Sequence, residues 1–80
     1  MPGGRKRTVS DAEILAVFDG SADPVLSAPE VAEGLPIGKT GTYQRLRELQ
    51  SDGLVKSKKI GQGRAWWLTD AGREFLDESE

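Results

Sequence analysis

The chain contains no cysteine and no histidine. Without cysteine there are neither disulfides nor thiolate metal sites. Without histidine the usual general base and the commonest metal ligand are both missing. Aromatic residues are scarce at 6%, and no apolar run approaches the roughly 20 residues that a membrane-crossing helix needs. No apolar signal segment follows the basic start, so a cytoplasmic protein is the expectation. Eighty residues, 36% of them hydrophobic and 30% charged, make one small domain with a modest core.

What the chain does have is an uneven distribution of charge. A net charge of −2 by itself points to no nucleic-acid partner. Residues 38–68, however, carry seven basic side chains (Lys39, Arg45, Arg47, Lys56, Lys58, Lys59, Arg64) against Glu48 and Asp52. The segments on either side are acidic in balance, with six acids before and five after. Such segregation predicts one basic face on an otherwise acidic body.

The stretch from Ser27 to Val55 organises the rest. Ser27 and Glu30 have capping-box spacing, and Pro29 suits a first helical turn. Gly34-Leu35-Pro36-Ile37-Gly38 then breaks that helix, because Pro36 cannot donate and pushes Leu35 out of the α region. A second, longer helix is predicted from Lys39 to Asp52, ended by Gly53 in the left-handed conformation. Thr42, Leu46 and Leu49 fall on its core side, while Thr40, Tyr43, Gln44 and Arg47 fall opposite, with Lys39 at the N-terminal end. A solvated helix face is the plain reading of such a stripe. Its donors and positive charge are also the groups that read base edges and phosphates in a DNA groove.

Around this stretch the other elements fall into place. Residues 1–8 lack apolar periodicity and read as a disordered basic arm. Arg5, Lys6 and Arg7 there suit phosphates or a minor groove, and suit a solubilising tail equally. The folded domain is expected over residues 9–78. Ser10 to Glu13 form a second capping box ahead of Ile14, Leu15, Val17 and Phe18, with the helix ending near Gly20. Val25-Leu26 is long enough for one strand rung. Leu54 to Ile60 and Arg64 to Leu68 read as a hairpin around Gly61-Gln62-Gly63. Trp66 and Leu68 share its core face; Trp67 points away, toward a helix or a partner subunit. Thr69 caps a last helix whose apolar side is Ala71, Phe75 and Leu76, with the acids beyond expected to fray.

Two phosphate-loop lookalikes fail on spacing. Gly34 to Thr40 has three residues between its glycines where a Walker loop has four, and a helix rather than a strand precedes it. Gly61-Gln62-Gly63 lacks the third glycine of a dinucleotide fingerprint. The carboxylates scatter over exposed helix ends and form no acid/base pair. The expectation is therefore not an enzyme, with no cofactor, no metal and no small-molecule ligand.

Helix, short strand, helix, helix, hairpin, helix is an α+β order: a winged helix-turn-helix, with a three-helix core, a two-stranded β-hairpin wing and a C-terminal helix. The Leu-x-Ile turn at Leu35 to Ile37, the Leu-x-x-Leu at Leu46 to Leu49, the Asp-Gly-Leu-Val at Asp52 to Val55 and the Leu-Thr-x-x-Gly at Leu68 to Gly72 carry a resemblance. They resemble the winged-helix transcriptional regulators of bacteria and archaea, such as the MarR, ArsR and PadR groups, over roughly Ser10 to Leu76. Gly41 departs from that pattern and weakens the helix by about 1 kcal/mol. So does the lack of the extra helices with which many of these regulators dimerise.

The resemblance implies sequence-specific binding of double-stranded DNA. Gln44 and Arg47 would read base edges in the major groove, and Lys39, Thr40 and Tyr43 would hold phosphates. Arg64, Lys58, Lys59 and Gln62 of the wing would meet the backbone or minor groove, although the lysines also serve to block edge-strand aggregation. Arg45 lies nearer the core face and reads as structural. A homodimer on a two-fold-related site is expected. The alternative is a winged-helix module whose basic face docks an acidic protein.

Overall fold

The computed structural model describes residues 9–79; the basic arm expected over residues 1–8 lies outside them. Helix α1 (Asp11–Asp19) starts on the expected capping box. The Ser10 hydroxyl accepts from the Glu13 N–H at 3.1 Å, and the Glu13 carboxylate accepts from the Ser10 N–H at 2.8 Å. Strand β1 (Leu26–Ser27) leads straight into α2 (Ala28–Glu33), and Ser27 both closes the strand and caps the helix. The rung is shifted by one residue from the expected Val25-Leu26, so Leu26 is buried and Val25 is left exposed.

Helix α3 (Lys39–Ser51) has Gly38 as its N-cap, and no side chain satisfies its first N–H groups. Gly53, at φ 81°, turns the chain out of it as expected. Strands β2 (Val55–Ile60) and β3 (Gly63–Leu68) form the hairpin. Its turn is tighter than the three-residue loop read from sequence, because Gly63 already pairs with Ile60. Gly61, at φ 58°, occupies the first central position, which a type II′ turn reserves for glycine. Helix α4 (Asp70–Ser79) closes the domain. Its acids continue the helix where fraying was expected, anchored by Phe75 and Leu76 packed against the core.

The three strands form one antiparallel sheet in the order β1-β3-β2. The wing is thus extended by β1, whose Leu26 lies opposite Trp66. Three helices supply one side of the core through Ile14, Leu15, Phe18, Val31, Leu46 and Leu49; Val55 and Trp66 supply the sheet side. This is the winged-helix architecture. Among the described residues, no helix is long and apolar enough to cross a membrane.

The start of α4 explains the Leu-Thr-x-x-Gly motif. The Thr69 hydroxyl accepts from the Gly72 N–H at 3.0 Å and donates to the Gly53 carbonyl at 2.7 Å. The Thr69 N–H donates to the Leu54 carbonyl at 3.1 Å. This draws the first turn of α4 onto the end of α3 so closely that a Cβ at Gly72 would run into the Leu54 carbonyl oxygen. At Gly41, by contrast, a Cβ would meet only the Ile37 side chain at an ordinary 3.9 Å. Two glycine-to-alanine changes should therefore have opposite signs in urea unfolding. Gly72→Ala is expected to lower stability by about 3 kcal/mol, and Gly41→Ala to raise it by roughly 0.5–1 kcal/mol.

Candidate nucleic-acid interface

The core stripe of α3 (Thr42, Leu46, Leu49) is fully buried, which fixes the rotation of the helix about its axis. Thr40, Gln44 and Arg47 are consequently exposed on its outer side, with Lys39 at the open N-terminus. Tyr43 lies between these two faces. Its ring meets the buried Trp66 indole edge-on, with centroids 5.9 Å apart and planes at 84°. Arg47, one turn further along, lies over the other part of that ring, its guanidinium carbon 5.9 Å from the centroid. Tyr43 is thus a packed platform that supports Arg47, as well as a phosphate candidate.

Strand alternation divides the hairpin's cations between two surfaces. Val55, Ser57 and Lys59 of β2 lie opposite Leu68, Trp66 and Arg64 of β3, on the side that faces α3. Lys56 and Lys58 lie opposite Trp67 and Ala65 on the other side. The structure therefore brings Tyr43, Lys59, Gln62 and Arg64 to one cleft of about 520 Å³ between the hairpin and the start of α2 (Ser27, Ala28, Pro29), bordered by Tyr43 of α3 and by Trp66. A smaller hollow of about 160 Å³ joins Tyr43, Arg47 and Arg64. Lys58 is separated from this group by the sheet itself.

Two residues absent from the sequence reading connect the pieces. The Arg64 guanidinium donates to the Ser57 hydroxyl at 3.0 Å, and that hydroxyl donates in turn to the Gln50 side-chain carbonyl on α3. The signal was present: Gln50 follows Tyr43 by seven residues, two turns along one stripe, and Ser57 precedes Lys59 by the strand period of two.

The cations divide into two kinds. Arg45 donates to the Val9 carbonyl at 2.5 Å and pairs with Asp11 at 2.7 Å and, more loosely, with Glu48 at 3.8 Å. Arg73 pairs with Asp19 at 3.8 Å. Among the described residues, none of Lys39, Arg47, Lys58, Lys59 or Arg64 has a carboxylate within ion-pair distance. Arg45 is structural, as its place near the core face suggested. Away from this group, Trp67 borders a separate hollow of about 590 Å³ with Phe18, Val25, Leu68 and Arg73.

No protein-family model matches the chain, and no curated protein matches it by sequence. Solved structures do match. TubR from the Bacillus thuringiensis serovar israelensis plasmid pBtoxis, in a complex with 24 bp of tubC, superposes with a TM-score of 0.73 at 21% identity. That match covers 86% of this chain and 76% of TubR. BpsR of Bordetella bronchiseptica gives 0.78 at 18% identity over 91% of this chain, and oxidised MarR from E. coli gives 0.75 at 17% over 86%. This chain spans 52% and 49% of those two proteins. Similarity at such identities defines the fold: a winged helix like that of the TubR and MarR regulators.

The two kinds of arginine should separate in stability measurements. Arg45→Met is expected to lower the unfolding free energy by about 1 kcal/mol, a modest figure because the pair is partly solvated. Arg47→Met should stay within about 0.5 kcal/mol of the parent. Equal losses for the two would contradict the division.

Proposed function

We propose that this chain is a small winged-helix transcriptional regulator that binds double-stranded DNA in a sequence-specific manner. In this reading α3 enters the major groove. Gln44 and Arg47 read base edges there, since an amide matches adenine and a guanidinium matches guanine in two-bonded geometry. Lys39, Thr40 and the open N–H groups at the start of α3 face phosphates, with the helix dipole adding attraction. Lys59, Gln62 and Arg64 of the hairpin reach the flanking backbone or minor groove. Lys58, on the far side of the sheet, is left out of this interface. A homodimer would set two such helices on a two-fold-related site.

One observation carries the reading. Among the described residues, Lys39 and Arg47 on the outer side of α3 and Lys59 and Arg64 on the adjoining face of the hairpin lack carboxylate partners, as do Lys56 and Lys58 on the sheet's far face, while Arg45, turned to the inner side of α3, and Arg73 on α4 have them. Positive charge left uncompensated on an acidic chain is attraction available to a polyanion. The structural likeness to TubR, itself bound to tubC DNA in its complex, favours DNA over an acidic protein as that polyanion.

Affinity for duplex DNA should fall about a hundredfold to a thousandfold between 50 and 200 mM salt, because displaced counterions supply most of it. Arg47→Ala should cost roughly tenfold and flatten the preference among sequences, leaving the fold intact. Fluorescence anisotropy on a selected and a random duplex measures both. Salt-insensitive binding, or parity between Arg47→Ala and the parent, would favour the protein-docking alternative.

A further inference from the structure

Trp67 lies on the middle strand of the sheet, on the face away from Lys59 and Arg64. It shares the 590 Å³ hollow with Ala22, Pro24 and Val25 of the segment between α1 and β1, backed by Phe18 and Leu68. Ala22, Pro24 and Val25 are exposed, Val25 by 46%, and the indole is half-buried. An indole beside three exposed apolar residues, ringed by charge, has the composition of an interaction surface.

The two flanks of this patch carry opposite charge. Because β3 is central, β2 lies on one side of Trp67, and β1 with the loop leading into it lies on the other. On the β2 side Lys56 stands directly opposite Trp67, with Lys58 next along the same face. On the other side the loop carries Asp23. Asp19, at the end of α1, pairs with Arg73 at 3.8 Å, and both border an adjoining hollow with Asp77 of α4. Among the described residues, Lys56 and Lys58 have no carboxylate at ion-pair distance, and Asp23 and Asp77 have no cation there.

From this we infer that the Trp67 patch is the surface through which a second copy of this chain binds, around a two-fold axis passing through the apolar middle. A two-fold interface must be complementary to itself. A patch that is apolar in the centre, basic at one end and acidic at the other meets that condition, because the rotation sets each basic end against the partner's acidic end. An acidic protein would suit the lysines and be repelled by Asp19, Asp23 and Asp77; a basic protein would do the reverse. Pairing of the outer strand β2 with its own copy is disfavoured, since two lysine rows would then lie side by side. The homodimer proposed above is here given its surface, which leaves Lys59 and Arg64 free on the other face of the sheet. The contact forms without DNA, so its failure and the failure of DNA binding are separate results.

Sedimentation equilibrium of the DNA-free chain tests the assignment. The parent should be dimeric at about 100 µM, since interfaces of standard size reach micromolar affinity or better. Trp67→Glu should be monomeric with an unchanged far-UV circular dichroism spectrum. A second test reverses exposed charges and leaves the core alone. Lys56→Glu with Lys58→Glu makes both ends acidic, and Asp23→Lys with Asp77→Lys makes both basic. Each double variant alone should dissociate roughly a hundredfold more readily than the parent. An equimolar mixture should recover the dimer, because every acidic end then meets a basic one. Lys59→Glu, on the opposite face, should dimerise as the parent does. A monomeric parent, a mixture no more associated than its components, or equal dissociation of Lys59→Glu would overturn the assignment.

Discussion

Trp66 is the constraint on which the geometry depends. It occupies the middle of the central strand, opposite Leu26 on one side and Ser57 on the other. Its side chain is 1% exposed, and its indole meets Tyr43 of α3 edge-on. One buried ring therefore joins the added strand, the hairpin and α3. A core this small has few large side chains to fill it, and an indole buries more area than any other residue can. The arrangement carries a cost, since the indole N–H has no hydrogen-bond partner among the described residues. What it secures is a fixed spacing of the hairpin from Tyr43 and from the start of α2, and that space is the cleft.

Charge is laid over this frame by two separate periodicities. On α3 the 3.6-residue repeat turns Thr42, Leu46 and Leu49 inward and sends Arg45 toward Val9 and Asp11, where it ties the start of the domain to the helix. The same repeat leaves Thr40, Gln44 and Arg47 outside. On the hairpin the two-residue repeat sorts Lys59 and Arg64 to the α3 side and Lys56 and Lys58 to the other. A chain with a net charge of −2 can in this way present a cationic surface without any long basic run.

Much of this was legible in the residues. Both capping boxes, the Gly53 helix stop, Thr69 as a cap, Trp66 in the core and the structural placing of Arg45 each follow from local rules, and local rules are what one sequence carries. The misreadings fall where local signals were silent. The hairpin turn is shorter than read because Gly61 alone provides the positive φ that a two-residue turn needs, which left Gly63 available for pairing. The first strand slipped by one residue because Ser27 can close a strand and cap a helix at once. The relay from Arg64 through Ser57 to Gln50 required the distance between two elements, which is not a property of any single segment.

The most direct measurement is an NMR titration of the isotopically labelled chain with duplex DNA, following backbone amides and the two indole N–H signals. The account predicts perturbations along the outer side of α3 and at the turn end of the hairpin. The Trp66 indole beside the cleft should shift, and that of Trp67 on the far side of the sheet should stay near its original position. Perturbations centred on Trp67 and α4, with α3 unmoved, would contradict it.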